Sequence, residues 1–131
     1  FQSGPFIAGE TYDAFLADWD EIIGGVPPSA FHAHAFDATN MLLDAIESVA
    51  VEGEDGLVIG RQALRDAVTA TEEYVGLTGT LTCQSEAPFI GDCATGEALG
   101  IFEITEAEVN GEWPPEIIWT PADAMEEDME G

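Results

Sequence analysis

Apolar residues recur along much of the chain at the three- and four-residue spacing of amphipathic helices. Three such stripes run through residues 12–23, 38–49 and 64–75, with charged and polar residues between them. We expect Thr11 to cap the first helix, because a threonine hydroxyl accepts a hydrogen bond from an unpaired N–H of the first turn. The pattern predicts three helices, each with one apolar face.

Short strands are predicted after the third helix. Residues 80–82, 98–104 and 117–119 are rich in β-branched and large apolar side chains. Asn110-Gly111 is typical of a hairpin turn, and residues 52–56 are predicted to form a turn. Helices that precede a few short strands are easier to explain as part of a larger α/β protein, with the central parallel sheets outside this chain.

The charge excludes several classes of partner. The chain has 131 residues and a formal net charge of −25, and Arg61 and Arg65 are its two basic residues. Nucleic acids and anionic lipid surfaces are poor partners, because the long-range field repels phosphate groups. Such acidity suits a saline or otherwise cation-rich exterior, where salt screens the self-repulsion.

Two cysteines, Cys83 and Cys93, lie close together in a stretch rich in glycine and acidic residues. A zinc site would need more sulfur ligands or suitably placed histidines, and a redox pair would more often have the spacing Cys-x-x-Cys. We therefore predict a disulfide that closes a surface loop, which indicates an oxidising compartment.

The segment before the central helix offers candidate ligands. His32 and His34 would share a face of an extended segment, and Asp37 could complete a metal site with them. The simpler interpretation is one histidine that packs or caps and one that is exposed, with Asp37 in the first turn of a helix, where it complements the helix dipole. No metal and no cofactor is expected.

Several motifs follow one another in an order that resembles a known family. They are Tyr12, Phe15 and Trp19 on a helix; Gly24-Gly25-Val26-Pro27-Pro28; Ala35-Phe36-Asp37-Ala38, opening a helix with Leu42-Leu43-Asp44-Ala45-Ile46; Arg61-Gln62-Ala63-Leu64-Arg65-Asp66-Ala67; Gly76-Leu77-Thr78-Gly79; Gly91-Asp92; and Asn110-Gly111-Glu112-Trp113. Together they resemble the C-terminal third of the type 1 periplasmic binding proteins, and more closely the branched-chain amino acid (Leu/Ile/Val) solute-binding subunits of ABC transporters.

The resemblance implies an α/β fold and a chain that is one part of it. In that family two lobes close over a small ligand, and the matching part contributes three helices followed by short strands. Residues 1–119 would form this C-terminal segment and residues 120–131 an acidic tail. Because the remaining lobe structure would be missing, the isolated fragment is expected to expose apolar helix faces and to self-associate.

The resemblance also implies a binding function without catalysis. The chain would belong to an extracytoplasmic solute-binding subunit that takes up a branched-chain or related small amino acid or amide and delivers it to a membrane permease. His34, Phe36 and Asp37 would lie near the cleft between the lobes and contact the ligand. The expected location is periplasmic or extracellular, including a membrane-anchored lipoprotein form. The sequence has no signal peptide, so an exported protein would have lost it or the chain begins midway.

Three alternatives stay open. One is a small metal-dependent hydrolase that uses His32, His34 and Asp37. A second is a ligand-sensing receptor domain of the same two-lobe architecture. A third is a salt-adapted structural module that makes contact through its disulfide loop.

The predicted disulfide can be tested directly. Mass spectrometry of the natural protein without reductant should find no free thiol, and reduction should lower the free energy of unfolding by about 2–3 kcal/mol in the chain-entropy account of a short loop. Two free thiols in the natural protein would contradict both the disulfide and the inference of export.

Overall fold

The chain forms four helices and seven short strands among the residues that its computed structural model describes, which are 2–93, 98–111, 116–121 and 123. In chain order these elements are β1 (Gln2–Pro5), α1 (Glu10–Ile22), α2 (His32–Val49), β2 (Val51–Gly53), β3 (Gly56–Val58), α3 (Arg61–Thr69), β4 (Tyr74–Gly76), β5 (Gly79–Leu81), β6 (Leu99–Glu103), α4 (Glu106–Val109) and β7 (Glu116–Trp119). The mixed helix-and-sheet class predicted from the sequence is confirmed in this coarse form. Every strand pair in the described residues is antiparallel.

The chain divides into two compact units. One contains residues 1–32 and 96–131, and the other contains residues 33–95. The acidic tail predicted over residues 120–131 falls mainly outside the described residues, since only 120, 121 and 123 of it are described.

In the first unit, the apolar face of α1 is only partly buried. Tyr12, Phe15 and Trp19 are half-buried along it, and no residue of the helix is fully buried. The predicted Thr11 cap is wrong, because the helix already begins at Glu10 and Gly9 occupies the cap position without a side-chain hydrogen bond. Acidic residues in the first turn complement the helix dipole instead.

The first unit also contains a three-stranded sheet in the order β1-β6-β7. Gly100 in the central strand is buried, and a side chain there would come within 3.1 Å of Phe6 Cβ. β6 and β7 pair as an antiparallel hairpin, and the predicted turn at Asn110-Gly111 lies in the connection between them, directly after the short helix α4. Gly111, with φ of 100°, turns the chain after that helix.

In the second unit, α2 begins earlier and α3 ends earlier than the sequence pattern suggests. The histidine segment, expected to be extended, forms the first turn of α2. The third helix, expected to continue to residue 75, ends at Thr69, and Tyr74–Gly76 forms a strand. Glu73 has a φ of 50°, which is incompatible with a continuing right-handed helix. Residues 52–56 lie within the β2–β3 hairpin, so the predicted turn there belongs to a pair of short strands.

The core of the second unit is small. Met41, Leu81 and Cys83 are buried together, and Tyr74 and Cys93 pack against them. Outside this cluster many large apolar side chains of the second unit are exposed, among them Val75 at 80%, Leu57 at 69% and Val51 at 60%. No helix in the described part of the chain is both long and apolar enough to cross a lipid bilayer.

Candidate functional site

A cavity of about 280 Å³ in the second unit is the candidate site. It lies at the apolar face of α2, where that helix meets α3, the β4–β5 hairpin and the disulfide loop. Its walls are mainly apolar, and the histidine, carboxylate and hydroxyl groups among its lining residues supply the polar atoms. The lining residues are His34, Asp37, Ala38, Met41, Leu42, Val68, Thr78, Leu81 and Cys93.

Asp37 holds the turn of the β4–β5 hairpin against α2. Its Oδ1 accepts a hydrogen bond from the Leu77 backbone N–H at 2.9 Å. Its Oδ2 accepts from the Thr78 backbone N–H at 2.8 Å and from the Thr78 hydroxyl at 2.7 Å. Only 2% of Asp37 is exposed, and burying a carboxylate is costly unless donors surround it. These three charge-assisted bonds compensate that cost and fix the turn.

Gly76 is required by the same contact. A Cβ at this position would lie 2.5 Å from Asp37 Oδ2 and 2.6 Å from its Cγ. Only a residue without a side chain lets the hairpin approach the carboxylate closely enough for both backbone N–H groups to reach it. Gly76 and Gly79, which come from a motif of the family resemblance, thus belong to a hairpin that docks on α2.

The structure places the three predicted ligand contacts differently. His34 is half-buried and lines the cavity, as does the buried Asp37. Phe36 is exposed at 43% and is not among the lining residues. Asp37 lies in the second turn of α2 rather than the first, so the prediction that it complements the helix dipole is wrong. A ligand contact by these residues stays a prediction.

His32 belongs to an aromatic cluster of the first unit. Its Nδ1 contacts the Ser29 carbonyl oxygen, which can only accept, so that nitrogen carries the proton. The Tyr12 hydroxyl then donates to Nε2 at 2.7 Å, and the ring stacks on Phe15 at a centroid distance of 5.9 Å. This is the packing role that the simpler interpretation gives to one of the histidines.

The helix removes the geometric basis of the metal site that the hydrolase alternative requires. On an extended segment, positions two apart share a face, but on a helix they are about 200° apart. His32 and His34 therefore point to different sides of α2. Within the described residues, no group of three or more His, Cys, Asp or Glu side chains is arranged to hold a metal ion.

The predicted disulfide between Cys83 and Cys93 is confirmed. The Cys83 backbone N–H donates to the Thr71 carbonyl at 2.9 Å, which anchors the loop to the segment after α3. Cys83 belongs to the core cluster, and Cys93 contributes to the cavity wall. The bridge is thus part of the candidate site as well as a loop closure.

The pKa of each of the two tyrosines is raised. Burial raises the pKa of Tyr74 above its usual value of 10.0, and the carboxylates of Asp37 and Asp44 raise it further, since a phenolate would be repelled by them. Burial also raises the pKa of Tyr12, with a smaller contribution from Asp13.

Sequence reasoning missed the second wall of the cavity. Thr78 and Leu81 reach the site because the β4–β5 hairpin folds back onto α2, and Val68 reaches it from α3. The available signal was the pair Gly76 and Gly79, which flanks a two-residue turn between two short strands, but the apolar stripe of the third helix continues to residue 75 and obscures the first strand.

Comparison with protein-family models, with curated proteins and with solved structures finds no match for this chain. The resemblance of its motifs to the binding-protein family therefore stays a prediction. What the structure establishes is the coarser class of helices combined with small antiparallel sheets.

Asp37→Asn should lower the free energy of unfolding by about 2–3 kcal/mol, because an amide presents a donor to a buried N–H that needs an acceptor. Urea unfolding followed by circular dichroism measures this change. Asp44→Asn, an exposed change on the same helix, is the matched control and should have an effect below about 0.5 kcal/mol. Equal stability of Asp37→Asn and the wild type would contradict the assigned role.

Gly76→Ala tests the same contact from the other side. The added methyl group should displace the carboxylate, so Gly76→Ala should destabilise much more than Gly60→Ala, whose nearest neighbour would be at 3.6 Å and which should lose only the small preference for glycine at the N-cap of α3. In the double variant Gly76→Ala/Asp37→Asn the two losses should not add, since both remove one interaction. If the two losses of unfolding free energy add fully in urea unfolding, Gly76 and Asp37 do not act through one shared contact.

The Tyr74 titration predicts a loss of stability at high pH. The pKa of Tyr74 in the folded state lies above its unfolded value. The contribution of Tyr74 to the free energy of unfolding is therefore present below pH 10.0 and is lost as the pH rises through the folded pKa. In a Tyr12→Phe background, phenolate absorbance reports Tyr74 alone, and its midpoint should lie above 10.0. Asp44→Asn should lower that midpoint, whereas the exposed change Glu47→Gln on the same helix should leave it in place. A midpoint that does not respond to Asp44→Asn would count against the assigned cause.

Proposed function

We propose that this chain is part of an extracytoplasmic solute-binding subunit of an ABC transporter. It binds a branched-chain or related small amino acid or amide, and ligand favours the closed arrangement of two lobes over the open one. No covalent step is part of this proposal. The partner downstream is a membrane permease that receives the solute.

The observation that carries the proposal is the size and lining of the cavity on α2. At about 280 Å³ it is slightly smaller than the usual range of small-molecule pockets, which begins near 300 Å³. Its walls are apolar side chains, among them Met41, Leu42 and Val68. A pocket of this kind suits a short aliphatic group better than a sugar or a nucleotide, both of which need many hydrogen-bonding partners.

Three further features support the proposal. The ordered motifs resemble the binding-protein family over most of the chain. The Cys83–Cys93 disulfide is typical of proteins outside the reducing cytoplasm. The division into two compact units is what a chain that contributes to two lobes would give.

Asp37 needs a modified role in this proposal. Both of its oxygens already accept hydrogen bonds from the hairpin turn. We propose that it shapes the pocket floor rather than pairing with the ammonium group of the ligand, and that His34 at the rim is the nearest polar contact from this chain. The groups that bind the amino and carboxylate ends of the ligand would then come from polypeptide outside it.

Calorimetry on the full-length protein, with aliphatic amino acids, amides and small carboxylates, tests the proposal. Leucine, isoleucine, valine or a close analogue should release heat and saturate. Ala38→Leu should weaken that binding by about tenfold, because the larger side chain occupies the cavity. Ala35→Leu makes the same change at an exposed position outside the lining and should leave affinity unchanged.

A flat response across the panel would contradict the transport of this class of solute. Binding that Ala38→Leu and Ala35→Leu weaken equally would show that the cavity is not where the ligand lies. Stoichiometric zinc that survives dialysis would favour the hydrolase alternative instead.

A further inference from the structure

The two basic residues of the chain occupy the same helical surface. Arg61 and Arg65 are one turn apart on α3, so their side chains emerge as neighbours. Both are exposed. With 27 acidic residues in the chain, an arginine has abundant possible partners, yet among the described residues neither arginine forms an ion pair. The only cationic side chains of the protein are thus available to another molecule.

A shallow cavity of about 440 Å³ adjoins Arg65, separate from the candidate ligand site. Gln62, Thr69 and Ser85 contribute an amide and two hydroxyl groups to its wall. Asp66 also lines it, and its carboxylate accepts a hydrogen bond from the Gln62 amide at 2.7 Å rather than from an arginine. The guanidinium of Arg65 therefore keeps its donors for an incoming carboxylate.

The disulfide loop supplies an apolar part to the same surface. Ile90 lines the cavity with Arg65, and the neighbouring Phe89 is 63% exposed. An exposed aromatic side chain beside an exposed isoleucine, which is itself 54% accessible, is typical of a contact surface on an otherwise acidic protein.

The tip that carries Phe89 and Ile90 is held before any partner arrives. The Gln84 N–H donates to the Asp92 carbonyl at 2.8 Å, and the Gly91 N–H donates to the Gln84 carbonyl at 2.8 Å. The disulfide at the base of the loop closes the same segment. A tip fixed in this way loses little conformational entropy on binding, which favours association.

We propose that Arg61, Arg65, Phe89 and Ile90, the arginine–phenylalanine surface, dock a segment of a partner protein that carries carboxylates next to an apolar side chain. A guanidinium binds a carboxylate through two parallel hydrogen bonds, and the loop tip covers the apolar side chain beside it. A nucleic acid carries a phosphate at every nucleotide and is repelled along its whole length by the net charge of −25, whereas a segment with one or two carboxylates at the arginines is repelled far less. A small anion would leave the apolar tip exposed. This inference does not depend on the ligand or on the cavity of α2.

The test uses the whole chain and a fluorescent peptide built of glutamate and leucine. Two control peptides replace the glutamates by glutamine or the leucines by serine. The glutamate–leucine peptide should bind, measured by fluorescence anisotropy, and both controls should bind more weakly. Arg65→Gln should weaken binding roughly fivefold, and Arg61→Gln/Arg65→Gln further, as expected for exposed charge pairs with favourable geometry.

Matched variants separate the two halves of the surface. Thr80→Glu makes the same change in net charge as Arg65→Gln at an exposed strand position outside the surface, and it should leave binding unchanged. High potassium chloride should reduce the effect of Arg65→Gln, because salt screens the charge pair. The loss caused by Phe89→Ser should persist in high salt, since it is an apolar contact.

Three results would overturn the proposal. The first is equal binding of the glutamate and glutamine peptides. The second is complete displacement of the peptide by inorganic phosphate, which would make the arginines a small-anion site. The third is self-association in sedimentation experiments that Arg61→Gln/Arg65→Gln abolishes, which would make a second copy of this chain the occupant of the surface.

Discussion

The second unit depends on one buried carboxylate. Asp37 on α2 receives three hydrogen bonds from Leu77 and Thr78, which lie about forty residues further along the chain. With a core of three buried side chains, the apolar contacts alone leave the hairpin weakly held. A polar tie to backbone N–H groups fixes both the distance and the orientation of the turn, which apolar packing does not do.

The hydrogen bonds of Asp37 to the hairpin turn determine the shape of the candidate site. The β4–β5 hairpin provides one wall of the α2 cavity, so any shift of its turn changes the cavity. Gly76 permits the close approach, and the disulfide holds the chain directly after the hairpin. The disulfide and the carboxylate constrain the hairpin from its two ends, because Cys83 follows β5 while Leu77 and Thr78 form its turn. A small unit with few buried side chains thus keeps a defined pocket.

Sequence patterns predicted what depends on local spacing. The three main helices, the disulfide and three of the seven described strands, β5, β6 and β7, follow from periodicity, cysteine spacing and turn residues. The errors arose where tertiary contacts decide the outcome. Asp37 looked like a first-turn acid because its partners, Leu77 and Thr78, are distant in the chain. The histidine segment was expected to be extended, yet it forms the first turn of α2, where the His32 side chain contacts Tyr12 as well as Ser29. The contact with Tyr12, twenty residues earlier, is not visible in any local pattern.

The hydrogen bonds that Asp37 already accepts also constrain how the ligand of the proposed function would be recognised. A carboxylate that already accepts three hydrogen bonds stabilises the fold only while they persist, and an ammonium group that displaced the hairpin donors would break the wall of its own pocket. Recognition by this chain should therefore be apolar, through side chains such as Met41 and Val68, with His34 as a polar rim. Under the proposed function, the charged ends of the amino acid would be bound by donors and acceptors from elsewhere in the protein. A cavity that contacts only the aliphatic part of a ligand discriminates among branched side chains by fit. The difference in binding free energy is about 1–3 kcal/mol per methylene group.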